Sequence, residues 1–187
     1  MSSAPVASLS SLSDRLFDLV SCPRNIANHW GSSVKAHAFI SNVASLLKSG
    51  GYFFGITLDG SAVWSAVQKK KKKAQLDNVK LRFHSVDLDF LSSSFQPFGT
   101  QLIVNMPGFG SEKVFLVHPP TLIALAKHYG LFLVEMLSLP QYMEEVKEDM
   151  GELYTSLRTQ KTEKGRIIPE HQMEAAALYC VYIFQKL

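Results

Sequence analysis

The sequence predicts an α/β domain on a mostly parallel sheet with an antiparallel insertion, and three stretches predict it. Leu16 to Cys22 (LFDLVSC) is a short, almost continuous apolar run closed by Pro23, the pattern of a strand buried on both faces. From Ser33, the apolar residues Val34, Ala38, Phe39, Val43, Leu46 and Leu47 recur at helical spacing, Gly50-Gly51 stops that helix, and Tyr52 to Thr57 (YFFGIT) is a second apolar run of strand length. Helix, paired glycines and buried strand make the αβ half of a parallel βαβ unit. Further on, Pro120 to Tyr129 (PTLIALAKHY) is an amphipathic helix with proline near its start and Gly130 as its cap, followed by the strand Leu131 to Leu137.

The remaining elements follow in order. Leu58-Asp59-Gly60-Ser61 reads as a strand-to-helix turn with Asp59 or Ser61 as N-cap, opening a short helix over Ala62 to Gln68. That helix runs into Lys69 to Lys73, read as a solvated loop or frayed helix end because like charges repel and seek water. Val79 to His84 and Leu102 to Asn105 read as strands of a small antiparallel element, separated by the turn-rich SSSFQPFG, and Pro107 to Gly110 reads as a loop. A charged helix from about Gln141 to Leu157 precedes a polar, lysine-bearing loop. The final run, Ala175 to Gln185, closes the sheet as a last strand, although Glu174 to Leu178 favours helix locally. Residues 2–13 are rich in Ser and Ala and read as a disordered lead, so the chain divides into a lead over 1–14 and one domain over 15–187.

Composition narrows the class of function. With 187 residues and 47% apolar content the chain can bury one substantial core, and two full domains would be crowded. Net charge is +3, but Lys69 to Lys73 hold the excess, so a uniformly basic binding face is not indicated. Cys22 and Cys180 sit inside apolar segments, where a free thiol behaves as a small hydrophobe, and neither a disulfide framework nor a zinc site is supported. The N-terminus lacks the basic cluster and apolar run of a signal peptide, and no segment approaches the roughly 18 consecutive apolar residues of a membrane span. The expectation is an intracellular protein that is not secreted.

Lys48-Ser49-Gly50-Gly51 before YFFGIT, the Asp-Gly-Ser turn, PFGTQLIV, FLVHPPTLIALAKHYGLFLVE and EAAALYCVYIFQK, taken in that order, resemble the C-terminal half of eukaryotic mRNA cap guanine-N7 methyltransferases, the plant-type branch most of all. The resemblance runs from about Leu16 to Lys186 and covers about half of a complete enzyme. It implies part of a class I, Rossmann-like methyltransferase fold, seen from its fourth strand onward. It also implies S-adenosylmethionine as methyl donor, no metal, capped mRNA as partner and the nucleus as compartment. Chemistry in such enzymes rests on proximity, orientation and electrostatics rather than on a covalent side chain.

By the same resemblance, the cap-stacking tyrosine of the last strand falls on Tyr179. The acid that pairs with guanine should stand just before FLVHPP, where this chain has Val114, and Glu112 is the nearest carboxylate. Departures are equally definite. Where the resemblance implies Gln-Phe and His-Tyr pairs after the fourth strand, this chain reads PRNIANHW, with His29 and Trp30 displaced, and Leu58 stands where proline is common. No Gly-rich D-x-G-x-G segment occurs and no acid ends a second strand to hold the ribose, so a complete donor site is not expected from these residues. Leu16 to Cys22 would then be a sheet edge, to be covered by a protein partner or the Ser-rich lead, unless the sequence is an incomplete gene product. The competing functional reading is a non-catalytic, methyltransferase-like interaction subunit. For individual residues the plainer alternatives are a core aromatic for Tyr179, a solvated acid for Glu112, loop or surface positions for His84 and His118, and a packing pair for His29-Trp30.

Overall fold

The computed structural model describes residues 16–74, 80–83, 86–90, 94–106, 110–159 and 175–187. The predicted disordered lead, His84 and the lysine-bearing loop after the charged helix lie outside them. Two four-stranded sheets organise the chain. The first joins β1 (Phe17–Cys22), β2 (Leu47–Leu58), β8 (Tyr179–Lys186) and β7 (Leu131–Ser138), in that spatial order. β1 and β2 are parallel, and β8 pairs antiparallel with both β2 and β7. Three strands therefore share one direction and β8 is inserted against them, so the α/β fold expected from sequence is present with a mixed sheet.

One face of this sheet carries the main core. Val43, Ile40 and Ala36 of α1 (Ser33–Leu46) and Leu122, Leu125 and Ala126 of α3 (Pro119–His128) pack with Phe53, Tyr182 and Phe184. The opposite face leaves Tyr52 and Phe54 of β2 partly open, and Leu19 of β1 is 61% exposed. Burial of β1 on both faces, expected from its apolar run, is therefore not what the structure shows. β1 is an edge strand, and a continuous apolar run is buried twice over only when both faces are covered.

The paired glycines also play another part. α1 ends at Leu46, and β2 already includes Lys48 to Gly51, where its pairing with β1 jumps in register. What closes α1 is a cation from the far end of the chain, since Lys186 Nζ donates to the carbonyls of Ala44 and Leu47, each at 2.7 Å. Gly130, at φ 75°, follows α3 as expected, and its N–H donates to the Lys127 carbonyl at 3.1 Å. The charged helix predicted over Gln141 to Leu157 is divided into α4 (Leu139–Glu145) and α5 (Lys147–Thr159).

The second sheet is the antiparallel insertion, with β3 (Lys80–Phe83), β4 (Val86–Phe90), β5 (Gln101–Met106) and β6 (Gly110–Phe115) paired in sequence order. Linking β2 to β3 in the chain, α2 (Gly60–Ala74) carries the lysine run as helix rather than as loop. Asp59 is its N-cap, because its Oδ1 accepts from Ser61 N–H at 2.8 Å and Ala62 N–H at 3.1 Å. Val63 and Val67 of α2 pack with Leu102, Val104 and Leu116 in a second core cluster, which Leu58 and Leu178 join to the first sheet. The end of β2 is also tied through the backbone to the segment after β6, with Gly60 N–H donating to the Val117 carbonyl at 3.0 Å, while Asp59 N–H donates to the Leu178 carbonyl at 2.8 Å and extends the pairing of β2 with β8. No helix among the described residues is long and apolar enough to cross a membrane.

Candidate functional site

In an open α/β sheet, ligands gather at the carboxyl ends of the parallel strands, where the backbone leaves the sheet. β1 and β2 end beside each other here, and a cavity of about 320 Å³ opens at that place. Its walls come from four parts of the chain. Arg24, Asn25, Ala27 and Asn28 follow β1, Thr57 and Leu58 end β2, Val104, Gly110, Glu112 and Val114 belong to the insertion, and Tyr179 begins β8.

Strand register explains why the insertion offers these side chains. Glu112 lies opposite Val104, and Val114 lies opposite Leu102. Residues two apart on a strand share a face, so the face that packs its lower part on α2 presents Glu112 at its upper part. Tyr179 pairs with Leu58, which puts its ring at the end of β2. The two residues singled out from sequence, Glu112 and Tyr179, thus line one cavity, and so does Val114 at the matching position for the acid.

Electrostatics tie the site together. Burial holds the Tyr179 phenol above the ordinary tyrosine range, the positive charge of Arg24 lowers it, and the negative charge of Glu112 raises it. Both charges therefore reach the phenol, which stays neutral at physiological pH. Neither Arg24 nor Glu112 is in an ion pair among the described residues. Thr57 is only 3% exposed and its Oγ1 has no hydrogen-bond partner among the described residues.

The rim after β1 is held by one carbonyl. Cys22 O accepts from Arg24 N–H at 2.9 Å and from the Tyr182 hydroxyl at 3.0 Å, which reaches across from β8. Arg24 adopts φ 137°, a backbone conformation that side chains other than glycine rarely take. The 3₁₀ turn Asn25–His29 continues the wall, with Ile26 and Ala27 buried beneath it.

His29 and Trp30 do not reach the cavity. Trp30 is fully buried, donates from Nε1 to the Pro97 carbonyl at 2.9 Å and packs on Phe98, while His29 stacks on Phe39 at 4.4 Å between ring centroids. His118 faces Thr121, with Nδ1 at 2.7 Å from Oγ1, and lies against the ring of Phe95. Arg24, Asn28 and Thr57 were missed as site residues. The only signal for the first two was that PRNIANHW, which departs from the expected aromatic pairs, directly follows a strand end.

The chain is similar to mRNA cap guanine-N(7) methyltransferase 2 of Arabidopsis thaliana, 31% identical over 181 residues that make up 90% of this chain and 51% of the relative. It is also similar to mRNA cap guanine-N(7) methyltransferase 2 of Oryza sativa subsp. japonica, 26% identical over 180 residues, 90% of this chain and 52% of the relative. The chain spans about half the length of these relatives. Among solved structures it is similar to the CcbJ methyltransferase from Streptomyces caelestis, with a TM-score of 0.47 and 14% identity over 93% of this chain and 62% of that one. The model of the mRNA (guanine-N(7))-methyltransferase domain matches residues 5–187, and the chain belongs to that family.

Proposed function

We propose that this chain forms the cap-binding half of an mRNA cap guanine-N7 methyltransferase, which transfers a methyl group from S-adenosylmethionine to N7 of the guanine of capped RNA. One observation carries the reading: an acid and a tyrosine from distant parts of the chain, Glu112 and Tyr179, converge with Arg24 on one cavity at the carboxyl ends of β1 and β2. Family membership supports the reaction class.

The donor supplies a methyl group already activated on a sulfonium. Among the described residues β1 is the outer strand, so those present form one wall of a donor crevice and not a complete donor site. The contribution of this chain is on the acceptor side. Guanine presents donors at N1 and N2, which Glu112 accepts, and a flat face on which the Tyr179 ring packs. N7 carries its lone pair on the other side of the base, so a base held by those groups leaves N7 free and fixed in direction. Orientation of this kind is where such a reaction gains its rate.

A second reading, a non-catalytic interaction subunit, is favoured by the exposed apolar edge at β1, where Leu16, Phe17 and Leu19 are open. Calorimetric titration with the unmethylated cap dinucleotide GpppA separates the two. Glu112 is exposed in the free chain, so the loss arises only where the bound base covers it: a base N–H covered without its acceptor costs about 1 to 3 kcal/mol, whereas Tyr179→Phe keeps the stacking ring. Glu112→Gln is therefore expected to weaken GpppA binding by about tenfold and Tyr179→Phe by less. Equal measurable affinities for wild type and Glu112→Gln would show that Glu112 is a solvated acid and that the cap site lies elsewhere, and absence of GpppA binding would favour the second reading.

A further inference from the structure

Among the described residues, Thr57 Oγ1 is the buried side-chain polar atom that the fold leaves without a hydrogen-bond partner. Thr57 is 3% exposed and lines the cavity where β2 ends. The other buried polar side chain among the described residues, Thr100, is satisfied, since its Oγ1 accepts from Gln96 N–H at 2.8 Å and donates to the Gln96 carbonyl at 3.2 Å. A buried hydroxyl without a partner costs free energy, and valine has nearly the same shape without that hydroxyl, so packing alone gives no reason for threonine at position 57.

Strand register places the side chain. Thr57 stands opposite Cys180 and Leu58 opposite Tyr179, so the side chains of Thr57 and Tyr179 leave the sheet on opposite faces. At the end of β2 both meet the same cavity, Thr57 from the face that carries α1 and Tyr179 from the face that carries the insertion. We propose that Thr57 is a base-binding residue, its hydroxyl donating to the 6-oxo group of the guanine whose N1 and N2 protons Glu112 accepts and whose face Tyr179 covers. This rests on the cap-binding reading above and adds a second polar contact to it. O6 is an acceptor next to N1 on the same ring, so a base set against Glu112 carries it on the adjoining edge. The hydroxyl reaches it by rotation about χ1, whose staggered positions lie about 120° apart, and rotamer changes of this size are common when a ligand binds. The bound base then supplies the partner that the free chain lacks.

The test is calorimetric titration of GpppA into the wild-type chain, Thr57→Val, Thr57→Ser and Glu112→Gln, with thermal midpoints read by circular dichroism. Thr57→Val is expected to bind about fivefold more weakly, the share of one neutral hydrogen bond, while its midpoint stays level or rises by up to about 4 °C because an unsatisfied buried hydroxyl is gone. Thr57→Ser keeps the hydroxyl and should bind within about twofold of wild type. A GpppA analogue with sulfur in place of guanine O6 accepts hydrogen bonds weakly, so wild type should bind it about fivefold less tightly than GpppA, and Thr57→Val should scarcely distinguish the two. Equal affinities of wild type and Thr57→Val for GpppA would overturn the proposal. So would a loss of affinity in Thr57→Val accompanied by a lower midpoint, because the hydroxyl would then be serving the fold. Equal discrimination against the sulfur analogue by both proteins would overturn the contact with O6. If the proposal fails while Glu112→Gln still weakens binding, the cap-binding reading stands alone. Failure of the wild-type chain to bind GpppA at all overturns both.

Discussion

Alanine at Gly55 should lower the stability of this chain by about 3 kcal/mol, the upper part of the range for forced overpacking in a core. A Cβ placed there would overlap the Cys22 carbonyl oxygen and the Tyr182 hydroxyl, and would stand 2.7 Å from Tyr182 Cζ. The first is backbone of the neighbouring strand in the pair that β1 and β2 form, so it cannot rotate aside. The second belongs to a fully buried ring packed against Phe53, with centroids 5.3 Å apart. Glycine is needed at this point of β2 because the tyrosine crosses over it to reach β1. For a chain of this size the thermal midpoint should fall by about 6 to 12 °C, read by circular dichroism. A midpoint within about 2 °C of wild type would show that the strands can part without cost.

Trp30→Ala should be at least as damaging, at about 3 to 5 kcal/mol, because it empties a fully buried indole site and removes the donor to the Pro97 carbonyl. Trp30 also accepts at its own carbonyl from Gly99 N–H at 3.0 Å, so the turn after β1 and the segment before β5 are joined at this residue. Trp30→Phe keeps an aromatic body and loses the hydrogen bond, and should cost about 1 to 2 kcal/mol more than a neutral surface change. Chemical denaturation of the two variants gives the comparison. Equal losses would mean that the hydrogen bond, not the buried ring, carries the contribution of Trp30.

The elements that could be read from sequence are those whose signals are local. The helix α1, the helix α3, the run YFFGIT, the Asp59 turn and Gly130 each act within a few residues of themselves and are in place, but the face of α1 was misread: Val34 is 79% exposed and Ala38 is exposed, while Ala36, Ile40, Val43 and Ala44 face the core. The stop of α1 was misplaced because its partner is Lys186, at the other end of the chain, and no local pattern announces such a cap. β4 was missed although VDLDF alternates apolar and charged residues with period two, and β6 because its opening GSEK is polar and owes its extended form to pairing with β5. The lysine run continues α2, since lysine is a good helix former.

Of the site, Glu112 and Tyr179 were legible through family resemblance, which supplied an order of motifs that spacing alone does not. Arg24 was not, for a physical reason. It lines the cavity with φ at 137°, and nothing in the residues PRN states a left-handed φ. Thr57 ends an apolar run as any threonine can, and only its burial without a partner marks it. His29 and Trp30 attracted notice as aromatics near a strand end, yet both are taken up by packing.

The central claim is that the nucleotide sits at the carboxyl ends of β1 and β2, and amide chemical-shift mapping by NMR during titration with GpppA tests it most directly. The largest shifts are expected on Arg24, Asn28, Thr57, Glu112 and Tyr179, which come from separate stretches of sequence and meet at the cavity. Shifts confined to the open face of the sheet around Leu19, Tyr52 and Phe54, with those five residues unmoved, would contradict it.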